Sequence, residues 1–228
     1  MHIEHLIFDL DNTLYPATAE MDAGIHDRMM ECVAAFFGVS LEKAAEMKKI
    51  NIQKFSTTLE WIRHEGFTDV EGFFAKVHPE NEVDELKHDE NLRPFLESIK
   101  IPKIILTNSP REHAERVLAR LNVSDLFDCI CDIRDCQLLG KPYEEAYRIA
   151  LKMCGGTVEN SIFLDDMQKY TDGFASMGGT AVLVGEKNGK PLSEDSAAAF
   201  KGFAKHPGRT FKIKSIYQLK DVLAEIRF

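Results

Sequence analysis

Two acids stand two residues apart near the start of the chain, in the run Ile7-Phe8-Asp9-Leu10-Asp11-Asn12-Thr13-Leu14-Tyr15-Pro16. Side chains alternate along a strand, so Asp9 and Asp11 leave the apolar run on one side while Leu10 points away. Two carboxylates aimed into one small volume repel, a cost met where a metal ion or a catalytic proton needs both. An acidic turn, with Asn12 and Thr13 as turn and cap residues, is the other reading of the same stretch. Three further polar signals sit at or just after the ends of apolar runs: Thr107-Asn108-Ser109 after Ile104-Ile105-Leu106, then Lys141-Pro142, then Asp165-Asp166 after Ile162-Phe163-Leu164. A hydroxyl and amides at a helix N-terminus can hold phosphate. An acid pair can ligate a hard divalent ion or simply favour the start of a helix.

These groups need a frame that gathers strand ends. Short β-rich runs fall at residues 3–8, 103–106, 129–131, 161–164, 181–184 and 211–213, with helical patterns between most of them. That alternation predicts an α/β fold whose doubly wound, mostly parallel sheet is buried on both faces. Ligands of such sheets bind beyond the carboxyl ends of the strands, where the winding reverses. The first connection is far longer than a crossover requires. Within it residues 21–37, 41–55, 57–65 and 70–77 read as helices, and Ile25, Met29, Cys32, Val33 and Phe36 recur at the 3.6 period. The expectation is an all-α cap domain, residues 16–91, inserted into a core of residues 1–15 and 92–228 with hinges near Pro16 and residues 91–94. Ser109-Pro110-Arg111-Glu112 reads as a capping box with proline in the first turn, Lys141-Pro142 opens another helix, and a last helix covers 216–226. The section 185–208 reads as a surface excursion without chemistry.

Apolar residues make up 44% of the 228 and charged ones 29%, an ordinary globular composition. No apolar run reaches the roughly 18 to 20 residues of a membrane span, and the first residues enter a strand without a leader pattern. The expected setting is cytoplasmic, away from membranes. Five cysteines without C-x-x-C spacing read as reduced, buried thiols. A net charge of −9 and the lack of a Lys/Arg block argue against a nucleic-acid polymer as partner, while a small phosphate ester can be met by local cations.

Taken together, the D-x-D run, Thr107, Lys141-Pro142 and Asp165-Asp166 resemble the four motifs of the haloacid dehalogenase-like (HAD) superfamily over nearly the whole chain. Residues 8–16, 54–59 (Lys-Phe-Ser-Thr-Thr-Leu) and Val77-His78 resemble its pyrimidine 5′-nucleotidase subfamily. The resemblance implies a Rossmann-like core and a phosphatase in which Asp9 attacks phosphorus and Asp11 protonates the leaving oxygen and then activates water. A dehalogenase relative would lack the second acid. It also implies that Thr107 holds the phosphoryl group with Asn108 beside it, and that Lys141 balances the nucleophile and the transferring group. The implied cofactor is Mg²⁺, bound by Asp9, the Asp11 carbonyl and Asp166, with Asp165 direct or through water. Met167 and Tyr170 stand where relatives commonly carry Ser and Asn, and the Tyr170 hydroxyl is expected to stand in as a partner for the acid pair.

Phe55, Thr57, Thr58, Trp61 and His78 are the candidates for contacting a base. Thr57 and Thr58 carry paired hydroxyls that can meet a polar substrate or cap their own helix. Trp61 reads as core, and His78, before Pro79, as a loop residue. The expected partner is a small phosphorylated metabolite, a pyrimidine nucleoside 5′-monophosphate first, handled by a monomer or homodimer. A sugar-phosphate phosphatase or phosphomutase shares the same core, and an idle binding scaffold is the reading from another class. A phospho-accepting receiver module is disfavoured, since its acid pair precedes the acceptor and no helical insertion follows its first strand.

Overall fold

The computed structural model describes residues 2–16, 20–185 and 208–226. Six strands, β1 (His5–Phe8), β2 (Lys103–Leu106), β3 (Cys129–Cys131), β4 (Ser161–Asp165), β5 (Thr180–Val184) and β6 (Arg209–Ile213), form one sheet in the order β3-β2-β1-β4-β5-β6. All of its described pairings are parallel. The chain winds outward from β1 through β2 to β3, then restarts at β4 on the other side of β1. The reversal therefore falls between β1 and β4, where Phe8 pairs with Leu164. Asp9 and Asp165 are the next residues along, and the Asp9 amide donates to the Leu164 carbonyl at 2.8 Å.

Between β1 and β2 lie α1 (Glu20–Phe37), α2 (Leu41–Asn51), α3 (Thr58–His64) and α4 (Val70–Val77). They pack around an apolar cluster, joined by Ile133 and Leu138 from the segment after β3, in which Val33, Ile62 and Val77 are fully buried and Trp61 stacks on Phe37. Trp61 is thus core, as its sequence context suggests. The second helix ends four residues before the expected position. There the Asn51 carboxamide donates back to the Met47 carbonyl, a local bond that competes with continuing the helix.

Helices α5 (Leu92–Glu97), α6 (Arg111–Arg120), α7 (Glu144–Cys154), α8 (Gln168–Ser176) and α9 (Leu219–Ile226) complete the described fold. Alternation along the strands sorts the core into two layers. Leu6, Phe8, Ile105, Leu164 and Val182 meet the apolar sides of α5, α6 and α9. Ile7, Ile104, Phe163 and Ala181 meet α7 and α8, with Tyr147, Phe163 and Phe174 in mutual ring contact. Each fully buried Ile, Leu or Phe contributes roughly 1.5–3 kcal/mol, so the strand ends that carry the acids rest on a well-filled base.

Two helix starts differ from the sequence reading. The cis Lys141–Pro142 pair lies in a turn closed by the Tyr143 amide on the Gly140 carbonyl, and α7 begins only at Glu144. The expected capping box at Ser109 does not form. Pro110 is the capping residue of α6, and Asp132 takes the Arg111 amide at 2.9 Å instead. Helix α9 is preceded by a tighter turn over Ile216–Gln218. Residues 186–207, most of the expected surface excursion, lie outside the described residues. Among the described residues, no helix is long and apolar enough to cross a membrane.

Candidate active site

Lys141 is the hub of the strand-end cluster. Its Nζ donates to Asp9 Oδ1 at 2.6 Å and to Asp165 Oδ2 at 2.7 Å, and its side chain is 1% exposed. Burying an ammonium without partners would be prohibitive, so the two carboxylates keep it charged. Burial works to lower its pKa, but Asp165 and Asp9 outweigh it and hold the pKa above the usual lysine range. Its main chain is fixed as firmly as its tip. The Asn108 carboxamide accepts from the Lys141 amide at 2.8 Å and donates to the Lys141 carbonyl at 3.1 Å. Gly140 makes room for this clamp, because a Cβ there would lie 2.1 Å from Asn108 Oδ1. Asn108, expected to contact substrate, thus spends its side chain on positioning Lys141.

Asp9 accepts from the Thr13 hydroxyl at 3.1 Å through its second oxygen. Burial pushes its pKa up to about 7, with Lys141 pulling down and Asp165 and Asp11 pushing up. Asp166 is pushed up to about 8 by burial and by the charges of Asp165 and Asp9. Asp165 is raised as well, burial outweighing Lys141. Carboxylate oxygens of Asp9, Asp165 and Asp166 lie within 4.8 Å of one another. One ammonium does not balance three crowded carboxylates, and a hard divalent cation with oxygen ligands fits the remaining demand. Asp165 already gives Oδ2 to Lys141 and Oδ1 to the Met167 amide at 2.8 Å. Asp166 makes no such bonds among the described residues, which leaves it the more available ligand.

The Met167 amide also answers the departure from the family pattern. Tyr170 does not partner the acid pair: its hydroxyl donates to the Ser56 carbonyl at 3.3 Å, while its ring lies 5.1 Å from Lys141 Nζ. The expectation of hydroxyl compensation is therefore overturned, because Tyr170 sits in the first turn of α8 and reaches across to the helical insertion. Lys169 joins it, donating to the same carbonyl at 3.2 Å, and burial lowers its pKa to about 8. Tyr143 bonds Glu60 of α3 at 2.5 Å. Asp172 takes the Gln168 side chain.

Asp11 is held by three donors. Tyr15 OH and His113 Nε2 reach Oδ1 at 2.6 and 2.7 Å, and the Ser109 hydroxyl reaches Oδ2 at 2.8 Å. Burial alone would raise its pKa, but His113 and these hydrogen bonds hold it well below the usual carboxylate range. Ser109 thus serves the acid rather than its helix. Thr107 is buried and its Oγ accepts the Ser109 amide at 3.0 Å, an arrangement that leaves the hydroxyl proton for another acceptor.

The helical insertion borders the site through Ser56. Thr57 caps α3, accepting the Glu60 amide at 3.0 Å, and Thr58 is 4% exposed. His78 lies just past α4, outside the helix as expected, and its Nδ1 is 3.1 Å from Glu82. A cleft of about 450 Å³ reaches Asp166 between Asn12, Tyr15 and Tyr217, a size suited to a small ligand. A larger cavity, about 710 Å³, opens at the opposite end of the sheet beside Ile3 and Pro102 and holds none of these acids.

Sequence reasoning missed His113, Glu82, Tyr15 and Lys169 as parts of this neighbourhood. The available signal was position: His113 shares the inward side of α6 with Ala114 and Val117, directly after the Thr107 strand end.

Solved structures share this fold. A HAD phosphatase from Thermococcus onnurineus aligns at TM-score 0.63 with 18% identity, covering 98% of both chains. A β-phosphoglucomutase from Clostridium difficile aligns at 0.61 with 22% identity over 99% of this chain and 96% of that one. The L-2-haloacid dehalogenase of Xanthobacter autotrophicus aligns at 0.59 with 14% identity over 97% and 98%. Among curated proteins, phosphate metabolism protein 8 of Saccharomyces cerevisiae is 24% identical over 186 residues, 75% of this chain, which spans 58% of that relative's length. The family model for haloacid dehalogenase-like hydrolases matches residues 3–178, and the chain belongs to that family.

Proposed function

We propose that this hydrolase is a Mg²⁺-dependent phosphatase of small phosphate monoesters, with pyrimidine nucleoside 5′-monophosphates as its first substrate class. The observation that carries the reading is the pairing of Asp9, held by Lys141 at 2.6 Å, with a second acid, Asp11, two residues on. A halide leaving group needs no proton, whereas the alkoxide of a phosphate ester does, and a second acid supplies it.

In this reading a carboxylate oxygen of Asp9 forms a bond to phosphorus as the ester P–O bond breaks, and Asp11 gives its proton to the departing oxygen. Asp11, now a carboxylate, takes a proton from water whose oxygen attacks phosphorus, and Asp9 is released. His113 and the hydrogen bonds from Tyr15 and Ser109 favour Asp11 in that second, basic form. Lys141 offsets charge on Asp9 and on the phosphoryl oxygens, and the Thr107 hydroxyl donates to one of them. Mg²⁺ held by Asp9, Asp166 and the Asp11 carbonyl, with Asp165 direct or through water, would supply positive charge to the transferring group.

Residues 16–91 act as a cap over the core of residues 1–15 and 92–228, and Thr57 and Thr58 contribute to substrate selection. The apolar cluster that α1–α4 share, joined from the core by Ile133 and Leu138, and the bonds from Tyr170, Lys169 and Tyr143 to Ser56 and Glu60 support the division. A cytoplasmic setting and a monomer or homodimer complete the picture. The test is turnover of a panel of nucleotides and sugar phosphates with Mg²⁺ and with chelator. Preference for pyrimidine nucleotides is expected; preference for a sugar phosphate would reassign the substrate, and equal turnover in chelator would remove the metal.

A further inference from the structure

We infer that His113 is a positioning residue for the acid–base carboxylate Asp11, and that Glu82 anchors it from the return segment of the helical insertion. The inference rests on the phosphatase reading and adds two residues that none of the four motifs contains.

The geometry is a buried line of three groups. His113 is fully buried, with Nε2 2.7 Å from Asp11 Oδ1 and Nδ1 2.7 Å from Glu82 Oε1. Both ring nitrogens face carboxylates, so the ring cannot rotate without losing one partner. Glu82 lies in the turn Glu80–Glu85, just before the chain re-enters the core. Its side chain is fully buried; it accepts from Arg116 Nη2 at 2.8 Å, lies 3.1 Å from His78 Nδ1, and has Arg28 Nη2 at 3.7 Å as an ion-pair neighbour without a hydrogen bond. With two guanidinium groups already on Glu82, the His78, Glu82 and His113 cluster is a poor cation site and a good anchor. Arg28 belongs to α1 and His78 directly follows α4, so both outer helices of the insertion converge on this carboxylate. Asp11 has two other donors, Tyr15 and Ser109. Among the described residues, His113 alone of these three donors continues to the insertion, through Glu82.

A misplacement of about 1 Å in a reacting group can cost on the order of 10²-fold. The effect of misplacing an acid depends on whether the leaving group needs a proton, and a loss of packing does not. The experiment compares kcat/KM, which reports phosphoenzyme formation, for cytidine 5′-monophosphate and for p-nitrophenyl phosphate, whose phenolate leaves unprotonated. His113→Asn places an amide near the Nδ1 position and abandons Asp11; His113→Gln places one near Nε2 and keeps it. His113→Asn is expected to lower the nucleotide value by about 10²-fold and the aryl value by far less, with His113→Gln recovering most of the loss. Glu82→Gln should show the same leaving-group difference, and it serves as the test should His113→Asn fail to fold. Equal losses on both substrates, or no recovery with Gln, would reduce His113 to packing and overturn the inference. Wild-type turnover is the separate check on the phosphatase reading: with neither ester hydrolysed, that reading falls and takes this inference with it.

Discussion

The Lys141 ammonium lies 2.6 Å from Asp9, a residue 132 positions earlier in the chain. The pair is buried and Asp165 shares the same ammonium, so removing Lys141 would leave two buried carboxylates without their cation. Removing one member of such a pair typically costs about 3–5 kcal/mol, because an uncompensated charge stays behind. Lys141→Met should therefore lose activity and unfold at lower urea, with a stability loss toward the lower end of that range because Asp9 and Asp165 can take up protons. Wild-type stability in Lys141→Met would show that the pair adds nothing to the fold.

Crowding of the acids gives the metal-free protein a pH signature. The folded-state pKa values of Asp9 and Asp166 are raised from 3.8 to about 7 and about 8. A raised pKa means that the folded state holds the proton more tightly, so this stability is present below pH 3.8 and lost as pH climbs through 7 and 8. Glu82 runs the other way, since its pKa falls from 4.5 to about 2 despite burial, through His113 and His78. Its contribution is present above 4.5 and lost as pH falls through 2. Melting temperatures of wild type and Asp166→Asn in chelator isolate the first effect: their difference should grow between pH 4 and pH 8, and Mg²⁺ should raise the wild type most at the alkaline end. Parallel profiles would contradict it.

The fourth motif yields a pair of small effects. The acid pair is supported by the Met167 main chain and by Lys141, so Met167→Ala should leave activity and Mg²⁺ half-saturation unchanged. Tyr170→Phe loses a bond to Ser56 and not to an acid, so it should cost about 1 kcal/mol of stability with the same Mg²⁺ half-saturation. A weaker metal response in Tyr170→Phe would restore a role near the acids that the geometry denies it.

Strands β1 to β4 were legible because each is a short apolar run that ends at a polar residue; residues 103–106 and 129–131 coincide with β2 and β3, whereas β6, with Arg209 and Lys212 exposed, showed only its 211–213 end. The acids of the motifs were legible for the same reason, since register places Asp9 beside Asp165 once β1 and β4 pair. Side-chain partners were harder to read. Ser109 carries the local pattern of a helix cap, yet its hydroxyl is claimed by Asp11, 98 residues away. Tyr170 was expected to look inward to the acids and instead bonds Ser56, 114 residues away. His113 and Glu82 carry no motif, and only the return of the insertion past α6 brings them together. Local propensity is a statement about neighbours in sequence, and these bonds are made between elements.

Nucleophilic attack by Asp9 is the central claim, and trapping tests it directly. Asp11→Asn mixed with p-nitrophenyl phosphate and Mg²⁺ should form the phosphoenzyme, because that leaving group needs no acid, and then stall for want of a base. Acid quenching, borohydride reduction and peptide mass spectrometry would convert the trapped residue to homoserine. The account predicts a stoichiometric burst of nitrophenol with homoserine at position 9; a burst with the mark at another residue, or steady turnover with no mark at position 9, would contradict it.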